Sequence, residues 1–231
     1  MHRKDLADRL IYSSSHIVGL GIRGINPHEL KCWLYYPEDD CPFYRCTVFS
    51  HYAAANCPST SVKLPTLRLC GDHMNSDEAQ KTASKEPKDG PYWSLMFEIS
   101  ENKLHKKLPD CSMEGVIQST IQGALNTGLV SAEDEVVSIY HRRLEHGYPT
   151  PSLERDAILQ EALPFLKAKD IWSRGRFGSY KYEVANQDHS LMLGVEAVDN
   201  MLFGTKEFTL MHPSLTNEGG AKNMDLKYIT K

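Results

Sequence analysis

Three short runs of aromatic and β-branched residues, separated by turn signals, constrain the first fifty residues most. Residues 11–23 carry Ile11-Tyr12 and then His16-Ile17-Val18-Gly19-Leu20-Gly21-Ile22. Cys32-Trp33-Leu34-Tyr35-Tyr36 and Tyr44-Arg45-Cys46-Thr47-Val48-Phe49 follow. Such side chains suit a pleated, half-buried surface. Between the last two runs lies Pro37-Glu38-Asp39-Asp40-Cys41-Pro42, polar and bounded by prolines, which reads as a turn. The expectation is an antiparallel meander.

The run Gly19-Leu20-Gly21-Ile22-Arg23-Gly24 matches G-x-G-x-x-G, and Glu38, Asp39 and Asp40 follow at a tempting distance. A dinucleotide site needs a helix to open within the glycines, so that its N-terminus faces the pyrophosphate. Here Ile25-Asn26-Pro27-His28 reads as a turn before another strand, so the glycines read as close-contact positions in a strand.

Further along, Tyr92-Trp93-Ser94-Leu95-Met96-Phe97-Glu98-Ile99 and Glu135-Val136-Val137-Ser138-Ile139-Tyr140 read as strands. Residues 71–90 have little apolar content and read as a solvated loop. Met113 to Leu129 fits a helix, because Val116, Ile117, Thr120, Ile121, Ala124 and Leu125 recur at spacings of three and four. Ser152 is a plausible N-cap for a helix from Leu153 to Ala162, with Pro164 kinking or restarting it. Asn186 caps a last helix to Phe203, with Leu191, Val195, Val198 and Leu202 as its apolar stripe. After Leu210 the chain reads as frayed. Strands first, then strands alternating with helices, indicate an α+β fold.

Composition excludes several classes. A net charge of -4 with mixed signs gives no footprint for nucleic acid or a membrane surface. No apolar run approaches the roughly 20 residues of a spanning helix, and no signal-peptide core follows the charged start. Cys32, Cys41, Cys46, Cys57, Cys70 and Cys111 form no CxxC pair and no zinc-like spacing, so reduced thiols, a cytoplasmic setting and no metal are expected.

Two clusters carry chemistry. Tyr35, Tyr44, Arg45 and Tyr52 could stack a base and hold a phosphate, or simply pack a sheet. In the segment from Ile171 to Ser190, Gly175 and Gly178 flank Arg176-Phe177 and permit close approach of a flat ligand. Arg174, Arg176 and Lys181 add charge, and the capped helix offers free N–H groups. A strand–turn–helix connection with surface charges reads nearly as well. His141-Arg142-Arg143 and His146 read as solvated or structural.

The run from Lys31 to Arg45, then Gly147-Tyr148-Pro149-Thr150-Pro151, then Trp172-Ser173-Arg174-Gly175-Arg176-Phe177-Gly178, Tyr182-Glu183-Val184 and Asn186-Gln187-Asp188-His189-Ser190, resemble eukaryotic-type UDP-galactopyranose mutases. The likeness runs from about Leu10 to about His212, with a poor match over 60–90. It implies an antiparallel sheet domain for substrate at residues 1–140. It also implies the returning strand–helix part of a discontinuous, Rossmann-like FAD domain at 141–210, and a tail at 211–231. The N-terminal FAD-binding βαβ unit of that family has no counterpart here and is expected to lie outside this chain.

The resemblance further implies interconversion of UDP-galactopyranose and UDP-galactofuranose through a flavin N5–sugar adduct, with FAD reduced by NADPH. It implies diphosphate contacts from Arg45, Tyr52, Tyr148 and Tyr182, nucleoside contacts from Trp33 and Tyr35, and a substrate contact from Asn186. Gly175, Arg176 and Gln187 are implied at the flavin. His51, Ala53 and Tyr180 depart from the family's usual Asn, Ser and Trp. Two alternatives stand beside this reading. One is a truncated non-catalytic relative that binds a UDP-sugar or partners an intact paralogue or another copy. The other is an amine-oxidase-type FAD oxidoreductase, which gives the diphosphate tyrosines no task.

Overall fold

A computed structural model describes residues 2–28, 30–72, 83–102 and 106–217. The chain divides into two compact units, one of residues 14–145 and one of 1–13 with 146–231.

The first unit is built on an antiparallel sheet. Its strands are β1 (Tyr12–Arg23), β2 (Trp33–Tyr35), β3 (Arg45–Val48), β5 (Arg68–Leu69), β7 (Tyr92–Glu101) and β8 (Glu135–Pro149), in the order β2-β3-β7-β1-β8-β5. The meander expectation holds for β2 and β3. The chain then returns to place β7 between β3 and β1. The register sets Val18 opposite Phe97, Leu20 opposite Leu95 and Ile22 opposite Trp93. Alternation sends these side chains to one face, where they are buried with Cys46, Val48, Ile99 and Val136. Helix α2 (Met113–Asn126) covers that face with Val116, Ile117, Ile121 and Ala124, as its spacing predicted. Ser112 caps it by accepting from Gly115 N–H at 3.0 Å. Burying one such side chain is worth about 1.5–3 kcal/mol, so this layer supplies most of the drive to fold the unit.

The glycine run lies inside β1, and no helix opens there. A Cβ on Gly21 would collide with the Ser138 hydroxyl on β8, so the neighbouring strand demands the glycine. Residues 83–90 depart from the expected loop. β6 (Ser84–Lys88) pairs with β4 (Leu64–Thr66) in a separate two-stranded sheet, while 73–82 lie outside the described residues. Its charged, apolar-poor sequence hid this strand. Strand β8 also continues nine residues past Tyr140, through Pro149.

The second unit is mostly helical: α1 (His2–Asp8), α3 (Arg155–Lys167), α4 (Gln187–Phe203), α5 (Phe208–Met211) and α6 (Pro213–Asn217). Its limits differ from those read in the sequence. Residues 1–13 belong with it, and the division falls after Glu145 rather than after Tyr140. The expected strand before α4 is absent among the described residues. Turns occupy that place, with positive φ at Gly175 and Tyr180, and then the one-turn 3-10 helix Tyr182–Val184. Helix α3 begins after Glu154, not Ser152, and keeps Pro164 inside it. Met211 and residues 213–217 are helical rather than frayed, and Asn217 Nδ2 donates to the Glu183 carbonyl at 2.6 Å; the rest of the expected tail, 218–231, lies outside the described residues. The stripe on α4 is also corrected. Leu193 and Ala197 are buried, whereas Leu191, Val195, Val198 and Leu202 are exposed.

Candidate functional site

Strand register assembles the first cluster. Tyr35 pairs with Arg45, and Arg45 with Glu98. Leu34, Cys46 and Phe97 point to the core, so Trp33, Tyr35, Arg45 and Glu98 share the opposite face. Arg45 Nε donates to Glu98 Oε1 at 2.8 Å, and Nη2 donates to Oε2 at 2.8 Å. Tyr44 O–H donates to the same Oε2 at 2.7 Å. The Arg45 guanidinium lies 5.4 Å from the Trp33 ring centre and 5.9 Å from those of Tyr35 and Tyr44. These are cation–π distances.

Tyr52 follows the one-turn 3-10 helix Phe49–His51, and its hydroxyl accepts from Trp33 Nε1. His51 Nδ1 lies 2.7 Å from the Lys31 carbonyl, an acceptor, so this nitrogen carries the proton; Nε2 then accepts from Asn26 Nδ2 at 2.8 Å. His51 thus ties the turn bearing Tyr52 to the start of β2. Trp33, Tyr35 and Tyr52 are 55%, 61% and 46% exposed, so they form a surface rather than a core. Flat rings beside a cation suit an aromatic, anionic ligand. Glu98 is the residue that sequence reasoning missed. The signal was present: on β7 it is the one carboxylate among the outward positions Tyr92, Ser94, Met96 and Glu98.

A second polar cluster in this unit involves His141 and Arg143, which the sequence reads as solvated or structural. His16, almost wholly buried, places Nδ1 3.0 Å from His141 Nε2 and Nε2 3.3 Å from Glu101 Oε2. Arg143 Nε donates to Glu101 Oε2 at 2.8 Å. Burial works to raise the Glu101 pKa, but hydrogen bonds from Arg143 and His16 outweigh it and hold the carboxyl below its ordinary range. Burial first, and His16 second, lower the pKa of His141. This network fastens β1, β7 and β8.

In the helical unit, the 3-10 turn presents Tyr182, half-exposed, with its ring centre 6.0 Å from that of Tyr148. The turn is held from several sides. Arg155 on α3 forks onto Glu183 at 2.7 and 2.9 Å. Val184 is fully buried, and Arg176 Nε donates to the Ala185 carbonyl at 3.0 Å. The Arg176 guanidinium also lies 4.5 Å from the Tyr148 ring centre. Asn186 stands at the N-cap of α4 but makes no side-chain cap bond, which leaves its amide and the helix's first N–H groups to other acceptors. Gln187 opens the helix and is exposed. His189 Nδ1 in the same turn has no partner among the described residues.

Two expectations for this segment change. Arg174 is not a spare cation, because it forks onto the buried Glu207. A Cβ on Gly178 would strike the Arg174 backbone, so that glycine serves the tight turn, while Gly175 serves its positive φ of 86°. Tyr180 donates its hydroxyl to the Ile11 carbonyl at 2.8 Å, and burial raises its pKa to about 12.

The described residues hold no cluster of three groups able to bind a metal. They include no helix long and apolar enough to cross a membrane.

The chain is therefore a mixed helix–sheet protein, with an aromatic–cation surface on the open face of an antiparallel sheet. It is 40% identical to a crystal structure of reduced UDP-galactopyranose mutase over 93% of its own length, with a TM-score of 0.74. The chain is UDP-galactopyranose mutase-like, as the motifs from Trp172 to Ser190 implied. It spans 38% of that relative's length. A protoporphyrinogen oxidase proposed in Exiguobacterium sp. matches 83% of this chain and 36% of its own length at 12% identity and a TM-score of 0.45, too distant to bear on fold or chemistry. No protein-family model matches the chain.

Proposed function

We propose that this chain is the substrate-sheet and returning-helix portion of a UDP-galactopyranose mutase, an FAD-dependent isomerase that interconverts UDP-galactopyranose and UDP-galactofuranose. The observation that carries the reading is the 40% identity, sustained over 93% of the chain, to a reduced enzyme of that name. On this reading the sheet unit binds substrate, and the helical unit is part of the Rossmann-like FAD-binding domain.

In the sheet unit, Trp33 and Tyr35 offer flat surface to the uridine, while Arg45 and the Tyr52 hydroxyl offer donors to the diphosphate. In the helical unit, Tyr148 and Tyr182 offer hydroxyls to diphosphate, and Asn186, with its amide not spent on capping, offers a polar contact to substrate. The flavin fit is partial. The N–H groups at the start of α4, with Gln187, Arg176 and Gly175, suit the electron-rich edge of an isoalloxazine. The described residues include no glycine turn opening a helix, so no cradle for the FAD pyrophosphate is among them. Gly175, Arg176 and Gln187 would lie at the ring of a bound FAD, which, reduced by NADPH, would supply nucleophilic chemistry towards the sugar. The residues of this chain orient the sugar nucleotide and hold the charge of the departing diphosphate.

The test is conversion of UDP-galactofuranose to UDP-galactopyranose by the purified chain with FAD under reducing conditions, followed by chromatography. Turnover that disappears in Arg45→Ala supports the proposal. Turnover unaffected by that change removes the assigned role of Arg45. Absence of turnover by the wild-type chain removes isomerase activity from this chain and leaves the non-catalytic UDP-sugar-binding alternative.

A further inference from the structure

Arg45 is a candidate anion contact whose cationic fork is already engaged. Its Nε and Nη2 both bond the Glu98 carboxylate, and Nη2 also lies 2.6 Å from Oε1. The carboxylate is only 9% exposed on its side chain, and its second oxygen takes a further bond from Tyr44. Register brings the two side chains together, because Arg45 and Glu98 are direct partners on β3 and β7. We infer that Glu98 is a positioning residue and resident counter-anion for Arg45, which aims the guanidinium and tunes how tightly an anionic ligand is held.

The Glu98 carboxylate has two physical effects on Arg45. The fork fixes the guanidinium plane, so the arginine pays little ordering entropy when a ligand arrives. The same carboxylate cancels most of the positive potential that a diphosphate would feel, because unit charges a few ångströms apart at a partly buried site remain strongly coupled. An arginine with no such partner would grip UDP harder and release it more slowly. Glu98 thus exchanges affinity for a fixed approach, which suits a site that must release its sugar nucleotide after each turnover. Tyr44 supports the carboxylate from its other side and should act in the same direction with a smaller effect.

This inference rests on the UDP-sugar reading, and the experiment separates the two. UDP is titrated calorimetrically into wild type, Glu98→Gln and Tyr44→Phe at low salt, with melting temperatures recorded for all three. Glutamine keeps the shape and one acceptor while removing the charge. The inference expects Glu98→Gln to bind UDP about tenfold more tightly, an effect that shrinks in 0.5 M salt, and Tyr44→Phe to bind slightly more tightly. A purely structural Glu98 would instead lower the melting temperature and weaken or preserve binding, and that result overturns the inference. Should Glu98→Gln unfold, the exchange rate of the Arg45 Nε proton in wild type decides: slow exchange without ligand supports the standing fork, and fast exchange overturns it. If wild type binds no UDP but Glu98→Gln does, the UDP-sugar reading fails for the native chain while the counter-anion role stands. If neither binds, the inference falls.

Discussion

The two units fix their exposed tyrosines by different means. In the sheet unit, Tyr35 and Arg45 take their places from strand register, over a core of Phe97, Leu95 and Val18. In the helical unit, Tyr182 rides on a three-residue turn that no sheet supports, and Arg155, Arg176 and Asn217 hold that turn through side-chain bonds. A register is cooperative and hard to move by one substitution. A clamped turn can be released one bond at a time. The sheet unit should therefore fail globally, and the helical site locally.

The largest contrast sets Phe97 against the exposed side of α4. Phe97→Ala should cost about 3–5 kcal/mol by opening a cavity in a fully buried layer. Val195→Ser on α4 should stay within about 0.5 kcal/mol, because that residue is half exposed. Denaturant melts read both, and equal losses would contradict the division of labour. Next in size is the clamp. Arg155→Ala should cost about 2 kcal/mol, since it leaves Glu183 without its fork, and should speed amide exchange at residues 182–185 while sparing β7. Uniformly faster exchange would mean that the clamp is not local.

An acid limb comes third and belongs to the sheet unit. Hydrogen bonding from Thr66, aided by Arg23 and Lys88 and opposed by burial, brings Glu135 from an ordinary 4.5 to about 2. A depressed carboxyl contributes stability that is complete above its unfolded value and is lost as pH falls towards its folded one. The sheet unit should hold its melting temperature above about pH 5 and lose it between about 4.5 and 2. Glu135→Gln should make that limb shallower and leave the part that Glu101 carries. Smallest is Tyr182→Phe, which removes a hydroxyl from a half-exposed ring and should leave stability within about 0.5 kcal/mol, while weakening UDP binding if Tyr182 contacts the diphosphate.

The same contrast explains what could be read in advance. Alternation named β1, β3 and β7, and the three-and-four spacing named α2, because burial writes itself into those periods. The strand β6 escaped because Ser84-Lys85-Glu86-Pro87-Lys88 carries no apolar alternation for a pattern to register. The apolar residues of α4 were legible as a stripe, but a stripe does not say whether it is covered. For the site, Arg45 and the tyrosines were named by type and by likeness to a family. Glu98 needed the register between β3 and β7, which one strand read alone does not contain. In the segment from Ile171 to Ser190, charge and glycine were counted as features for a ligand. Arg174 and Gly178 proved to serve the chain itself, through Glu207 and through the tight turn.

The central claim is that the aromatic–arginine surface of the sheet unit holds a uridine diphosphate. Calorimetric titration of UDP into wild type and Arg45→Ala tests it most directly. The account predicts saturable binding by wild type, weakened at least about tenfold in the variant through loss of a charge-assisted phosphate contact. Equal affinity in the two proteins, or no binding by the folded wild-type chain, would contradict it.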